Sequence, residues 1–287
     1  MKKIELQDIV KNKQPRFLSE GETAITYKLS DGKIFKHFKR GPLLLLKSVS
    51  VDIEQKVLAA KNIKINPAII KPENIVYHNG FFEGYTMKSA KGIDYNTWEN
   101  SLTTSERKDL YGYAHIHSQL ESIVKSTPNI VYPDLCTCDN IYINGSSIQL
   151  IDYDGLQIDN NPSISISTTL GPITQYIDSK KYRPGILFTK ELDKKSLILL
   201  YFLTTFNINL NNVGKIDSTT GKPITLDDIF RCINLNDYDM MNKVWKIFQD
   251  NKDNEYLGDD VFRIAEEHQM EITPLYNNLY FKRLVRK

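Results

Sequence analysis

The 287-residue sequence predicts an α+β fold in two unequal lobes: a small antiparallel sheet with one helix over residues 1–90, and a larger helical lobe over 91–287. Three observations predict it. Period-two alternation, broken by strong turn signals, fills most of the first ninety residues. Helical spacing takes over after residue 105. The change falls within a tight stretch near 88–94 with no low-complexity linker and no internal repeat, so the two lobes form one bilobal domain. A cleft between such lobes is where a ligand is expected.

The elements follow in order. FLSEGETAITYKL (17–29) alternates apolar and polar residues around Gly21 and ends in Ser30-Asp31-Gly32, a hairpin turn, with KIFKHF (33–38) as the return strand. SVDIEQKVLAAKNI (50–63) spaces Val51, Val57, Leu58 and Ile63 among charged residues, as an amphipathic helix does. IVYHNGFFEGYTM (75–87) reads as a second hairpin about Asn79-Gly80, the strongest short turn signal available. A long helix is expected over 105–126, with Ser105 as its N-cap. Two short strands follow, NIYI (140–143) and the start of IQLIDYDG (148–155), joined at Asn144-Gly145. Residues 156–190 carry Pro162, Pro172 and Pro184 and read as irregular; ELDKKSLILLYFLTTF (191–206) reads as a buried helix, and the remainder as mostly helical.

Composition narrows the function classes. Apolar residues make up 41% and charged residues 25%, ordinary values for a globular protein. A net charge of +2 offers no argument for nucleic acid or membrane as a partner. The longest strongly apolar run, ILLYFL (198–203), is too short to span a bilayer, and MKKIELQDIV has no apolar signal core. Three cysteines, Cys136, Cys138 and Cys232, fit a reducing compartment better than a disulfide framework, so a cytoplasmic protein is expected.

Several residues carry possible chemistry. Gly21 sits in a hairpin whose backbone N–H groups can approach a phosphate closely, and Ser19 and Ala24 beside it are small. Lys36, after the apolar pair Ile34-Phe35, can hold a phosphate as a point charge, and Glu54 on the following helix can fix that lysine through an ion pair. The strongest signal is a set of acids. Asp134 lies in VYPDLCTCDNIYI and Asp152 at the end of an apolar strand in QLIDYDG, where a carboxylate is costly unless paired or metal-bound. Asn140 lies between them; two carboxylates and an amide oxygen suit a magnesium–phosphate site.

From about residue 17 to about 206 this pattern resembles the protein kinase-like family, as a divergent bacterial or phage relative of the eukaryotic-like Ser/Thr kinases. The resemblance implies the two-lobed kinase fold, ATP and Mg2+ (or Mn2+) as cofactors, and a protein substrate. In it Lys36 is the strand lysine that meets the phosphates and Glu54 its helix partner; Gly21 and Ala24 belong to the phosphate loop; Met87 is the gatekeeper; and Lys88, Ser89 and Ala90 supply the backbone that meets adenine. Asp134 is then the catalytic aspartate, Asn140 and Asp152 hold the metal, and Asp193 braces the catalytic loop; Asn140 stands one residue farther from Asp134 than the family pattern has it, which makes Asp139 the alternative ligand. The sequence departs from the family pattern at Tyr132-Pro133, where His-Arg is usual, at the glycine loop, which keeps one Gly of three, and at Asp154, where Gly is usual. The Asp-x-Asp ending also suits a small-molecule kinase of the aminoglycoside or choline type, and the reduced glycine loop suits a nucleotide-binding pseudokinase.

Overall fold

The computed structural model describes residues 1–48, 51–103, 111–133, 135 and 139–164, together with 187, 188, 190, 192, 193, 196, 197, 200, 216 and 220–223. Its largest element is a six-stranded sheet in the order β1-β5-β6-β4-β3-β2, made of β1 (Lys2–Glu5), β2 (Arg16–Glu20), β3 (Ala24–Lys28), β4 (Ile34–Phe38), β5 (Pro72–His78) and β6 (Phe81–Met87). Five α-helices are described: α1 (Leu6–Lys13), α2 (Arg40–Ser48), α3 (Ile53–Ala59), α4 (Tyr95–Ser101) and α5 (Tyr111–Lys125). The architecture is mixed α and β.

The expected hairpins form where their turn residues demand them. Asn79 and Gly80 both take positive φ (50° and 81°), the two left-handed residues of a tight turn between β5 and β6. Between β3 and β4, Gly32 (φ 79°) donates its N–H to the Leu29 carbonyl and closes the turn. Alternation then gives each face of the sheet its own core. Ala24, Ile34, Phe38, Ile75, Tyr85 and Met87 join Ile53 and Val57 of α3 on one face. Leu29, Phe35 and Val76 join Ile9 of α1 on the other. Each fully buried Ile, Leu, Val, Phe or Met among them contributes about 1.5–3 kcal/mol.

Two expectations about residues 1–90 are corrected. The sheet is not wholly antiparallel, because β1 runs parallel to β5, pairing Lys2 with Asn74 through Glu5 with Tyr77. Three helices, not one, precede residue 60. β1 is four residues long and mostly exposed, too short to show alternation. Helix α2 begins Arg40-Gly41-Pro42, which reads locally as a turn, yet a proline in the first helical turn loses no hydrogen bond. Helix α3 is shorter than expected, capped by Asp52, whose carboxylate accepts the Gln55 N–H.

The remaining described elements lie beyond the sheet. β7 (Ile93–Asp94), β9 (Ile141–Asn144) and β10 (Ser147–Leu150) form a three-stranded sheet, and β8 (Ile130–Val131) pairs with β11 (Gln157–Ile158), a strand inside the 156–190 stretch expected to be irregular. The expected helix over 191–206 has Leu192, Asp193, Ser196, Leu197 and Leu200 helical; its other residues, and nearly all the C-terminal stretch, lie outside the described residues. No helix among the described residues is long and apolar enough to cross a membrane.

Candidate functional site

The site forms where the end of β10 meets the six-stranded sheet. The chain entering β5 is stitched to β10: the Leu150 N–H donates to the Ala68 carbonyl at 2.8 Å, and the Ile70 N–H to the Leu150 carbonyl at 2.8 Å. Two residues later Asp152 adopts a left-handed backbone (φ 67°, ψ 51°) that starts a 3-10 turn over Tyr153–Gly155. A non-glycine residue in this conformation is uncommon and stores strain that surrounding contacts must hold.

Those contacts are charged. The Lys36 ammonium of β4 donates to Asp152, and reaches both oxygens of Asp154, at 2.8 and 2.9 Å. The Tyr85 hydroxyl of β6, opposite Lys36 in register, also donates to Asp154. Asp154 is fully buried, while the Asp152 side chain keeps 23% of its exposure. Burial opposes the charge on Lys36, but Asp152 and Asp154 outweigh it and hold the ammonium above its ordinary pKa. Burial and then the neighbouring Asp154 charge push the Asp152 carboxyl up, against the pull of Lys36. Two carboxylates thus share one strand lysine.

Helix α3 contributes a residue the sequence reading passed over. Lys56 is wholly buried and donates to two backbone carbonyls of the turn, Asp154 at 2.9 Å and Leu156 at 2.8 Å. Burial pushes its pKa down to about 7, against the attraction of Asp154 and Asp152. Glu54, expected to pair with Lys36, does not: its carboxylate accepts the Tyr77 hydroxyl at 2.8 Å, and Lys36 takes its ionic partners from the 152–154 turn. The reason is helical phase. Ile53, Lys56, Val57 and Ala60 share the buried stripe of α3, and Glu54 lies off it. A lysine on an otherwise apolar i, i+3, i+4, i+7 stripe was the available signal for Lys56.

The other expected residues divide. Asn140 and Asp152 line one small cavity with Tyr132, Leu135, Leu150 and Gly155. Asp139 is exposed and accepts from Asn96 at 2.6 Å, so Asn140 rather than Asp139 faces Asp152. Ala24 and Met87 lie on the sheet face that carries Lys36, while Lys88 and Ser89 are exposed and Ala90 is partly buried just after β6. The Gly21 N–H closes the β2–β3 hairpin on the Ala24 carbonyl. Asp134 lies outside the described residues. Its neighbour Tyr132 is held through its backbone: the Tyr132 N–H donates to Asp193 at 2.6 Å, and Lys190 pairs with the other Asp193 oxygen at 2.6 Å. Burial raises the Asp193 carboxyl to about 6, against the pull of Lys190.

The described residues hold no group of three or more His, Cys, Asp or Glu side chains able to ligate a metal. A magnesium ion needs no such group, because it is commonly held by one or two carboxylates together with nucleotide phosphates. Asp152 and the Asn140 amide fit that requirement.

No protein-family model matches the chain, and no curated protein matches it.

Proposed function

We propose that the chain is an ATP- and magnesium-dependent phosphotransferase with the two-lobed kinase-like architecture, acting on a Ser or Thr hydroxyl of a protein. The observation that carries this reading is the convergence of Lys36 from β4 with Asp152 from the end of β10, residues 116 positions apart. Burying two carboxylates against a lysine is expensive, and a site for metal and phosphate accounts for that expense.

In this reading the six-stranded sheet with α3 is the small lobe, and Met87 through Ala90 border adenine. Lys36 binds nucleotide phosphate, and Asp152 with Asn140 would hold Mg2+, which neutralises charge on the phosphate oxygens when bound. Asp134 orients the acceptor hydroxyl and takes its proton as the oxygen bonds to the γ-phosphorus and the bond to ADP breaks. Asp193, by holding the Tyr132 N–H, fixes the segment that leads into Asp134. Catalysis of this type is mainly positioning and electrostatics.

The test is incubation with γ-labelled ATP and Mg2+, with casein and the chain itself as acceptors. Wild type is expected to transfer label, and Asp134→Ala and Asp152→Ala to lose it while keeping the wild-type circular dichroism spectrum. Absence of transfer by wild type, together with no thermal stabilisation by ATP and Mg2+ over ATP and chelator, would reject the reading. A second reading, a pseudokinase that binds metal and nucleotide without turnover, draws support from Glu54 bonding Tyr77 instead of Lys36. It predicts stabilisation by ATP and Mg2+ without transfer to any acceptor, small molecules included.

A further inference from the structure

Lys36 needs a fixed counter-charge if it is to meet a phosphate reproducibly, because a free ammonium on a flexible stem is a poor positioning device. The carboxylate of the neighbouring helix, Glu54, is engaged with Tyr77. The two acids that do touch Lys36 differ in how they are held.

Asp154 is immobilised from three elements. Its carboxylate takes both contacts from Lys36 on β4 and a hydrogen bond from Tyr85 on β6, and its backbone carbonyl takes the Lys56 ammonium from α3. It has no exposure, so no alternative partner reaches it. Asp152 is the opposite case. It is partly exposed, lines the cavity with Asn140, and meets Lys36 alone among the described side chains. One carboxylate is an anchor and the other an available ligand.

We infer that Asp154 is the positioning residue of this site: it retains Lys36 when ligand enters, frees Asp152 to face a cation, and is coupled to helix α3 through the two carbonyl bonds of Lys56. The inference rests on the phosphotransferase reading and assigns within it the part that a helix glutamate would otherwise play. A shift of α3 would then be felt at the site through Lys56 and the 154–156 backbone.

The experiment measures the affinity of the full-length protein for Mg·ATP and, separately, for adenosine, which lacks the phosphates that Lys36 would meet. The variants are Asp154→Asn and Glu54→Gln. Losing the charge of a buried, charge-assisted pair is expected to weaken Mg·ATP binding by about tenfold or more in Asp154→Asn, with adenosine affinity within about twofold of wild type. Glu54→Gln is expected to change neither by more than about twofold. Loss of Mg·ATP affinity in Glu54→Gln with Asp154→Asn unchanged overturns the inference and leaves the phosphotransferase reading standing. Equal loss of adenosine and Mg·ATP in Asp154→Asn overturns it in favour of a purely structural role. A wild type that binds neither ligand defeats both. If Asp154→Asn does not fold, Tyr85→Phe carries the same comparison, since it removes only a hydroxyl from the Asp154 carboxylate; selective loss of Mg·ATP supports the inference, and unchanged affinities overturn it.

Discussion

Replacing Lys36 by methionine isolates the charge that holds the site together. Methionine preserves most of the stem volume and removes the ammonium, so Asp154 loses the donor to both its oxygens and Asp152 loses its partner. Removing one member of a buried ion pair costs about 3–5 kcal/mol. Lys36 retains 13% and Asp152 23% side-chain exposure, which admits some solvent and places the expected loss near the lower end, about 3 kcal/mol. With a urea slope of about 2–3 kcal/mol per molar for a chain of this size, the unfolding midpoint falls by about 1 M. The deficit also has a sign in pH. Without Lys36 the Asp152 carboxyl is raised further, and a group raised in the folded state stabilises at low pH and loses that contribution as pH rises. The variant is therefore expected to lag wild type less at pH 4 than at pH 8. Adding Asp154→Asn to Lys36→Met removes the stranded charge, and the double variant is expected to lose at least about 1.5 kcal/mol less than the sum of the singles. Urea titrations of the four proteins followed by circular dichroism supply the cycle. A single-variant loss under about 1 kcal/mol, or additive singles, refutes the claim that Lys36 is the buried counter-charge.

Gly84→Ala tests the sheet that presents Lys36. A Cβ at this position would stand 2.0 Å from the Lys36 carbonyl oxygen, so β4 must be forced off β6, at an expected cost of about 3 kcal/mol or more and a lost thermal shift with ATP and Mg2+; wild-type melting would contradict the pairing. Asp193→Asn tests the buried brace. A carboxyl raised to about 6 from 3.8 contributes stability in full below pH 3.8 and loses it as pH rises through 6, about 3 kcal/mol in all. Asparagine does not titrate, so the stability of Asp193→Asn relative to wild type should improve by about that amount between pH 3.5 and 7, read by denaturant unfolding at each pH; a flat difference would place the Asp193 charge in a well-solvated position.

Much of the fold was legible locally. Asn79-Gly80 and Gly32 take left-handed turn positions by their own backbone preferences, and the strands on either side alternate, so the β3–β4 and β5–β6 hairpins follow from neighbours in sequence. Asp152 stood out because an acid ending an apolar strand violates the local pattern, and Asn140 because it lies between Asp134 and Asp152 in the chain. Helix α2 was not legible, since Gly41-Pro42 signals a turn as readily as a first helical turn. Nor was β1, whose four residues form a strand only because the β5 edge is there to pair with them.

The sequence by itself therefore determined that β3 through β6 and their two hairpin turns form, and it singled out Lys36 and Asp152 as charged residues beside apolar strand positions. Only the tertiary structure decided who meets whom. Lys36 faces Asp152 and Asp154 across 116 and 118 positions, and Lys56 reaches the Asp154 carbonyl across 98. Turn and strand preferences are properties of a few adjacent residues, readable one at a time. Which face helix α3 turns toward the sheet depends on burying Ile53, Val57 and Ala60 together, and that packing brings Lys56 inward and leaves Glu54 to Tyr77.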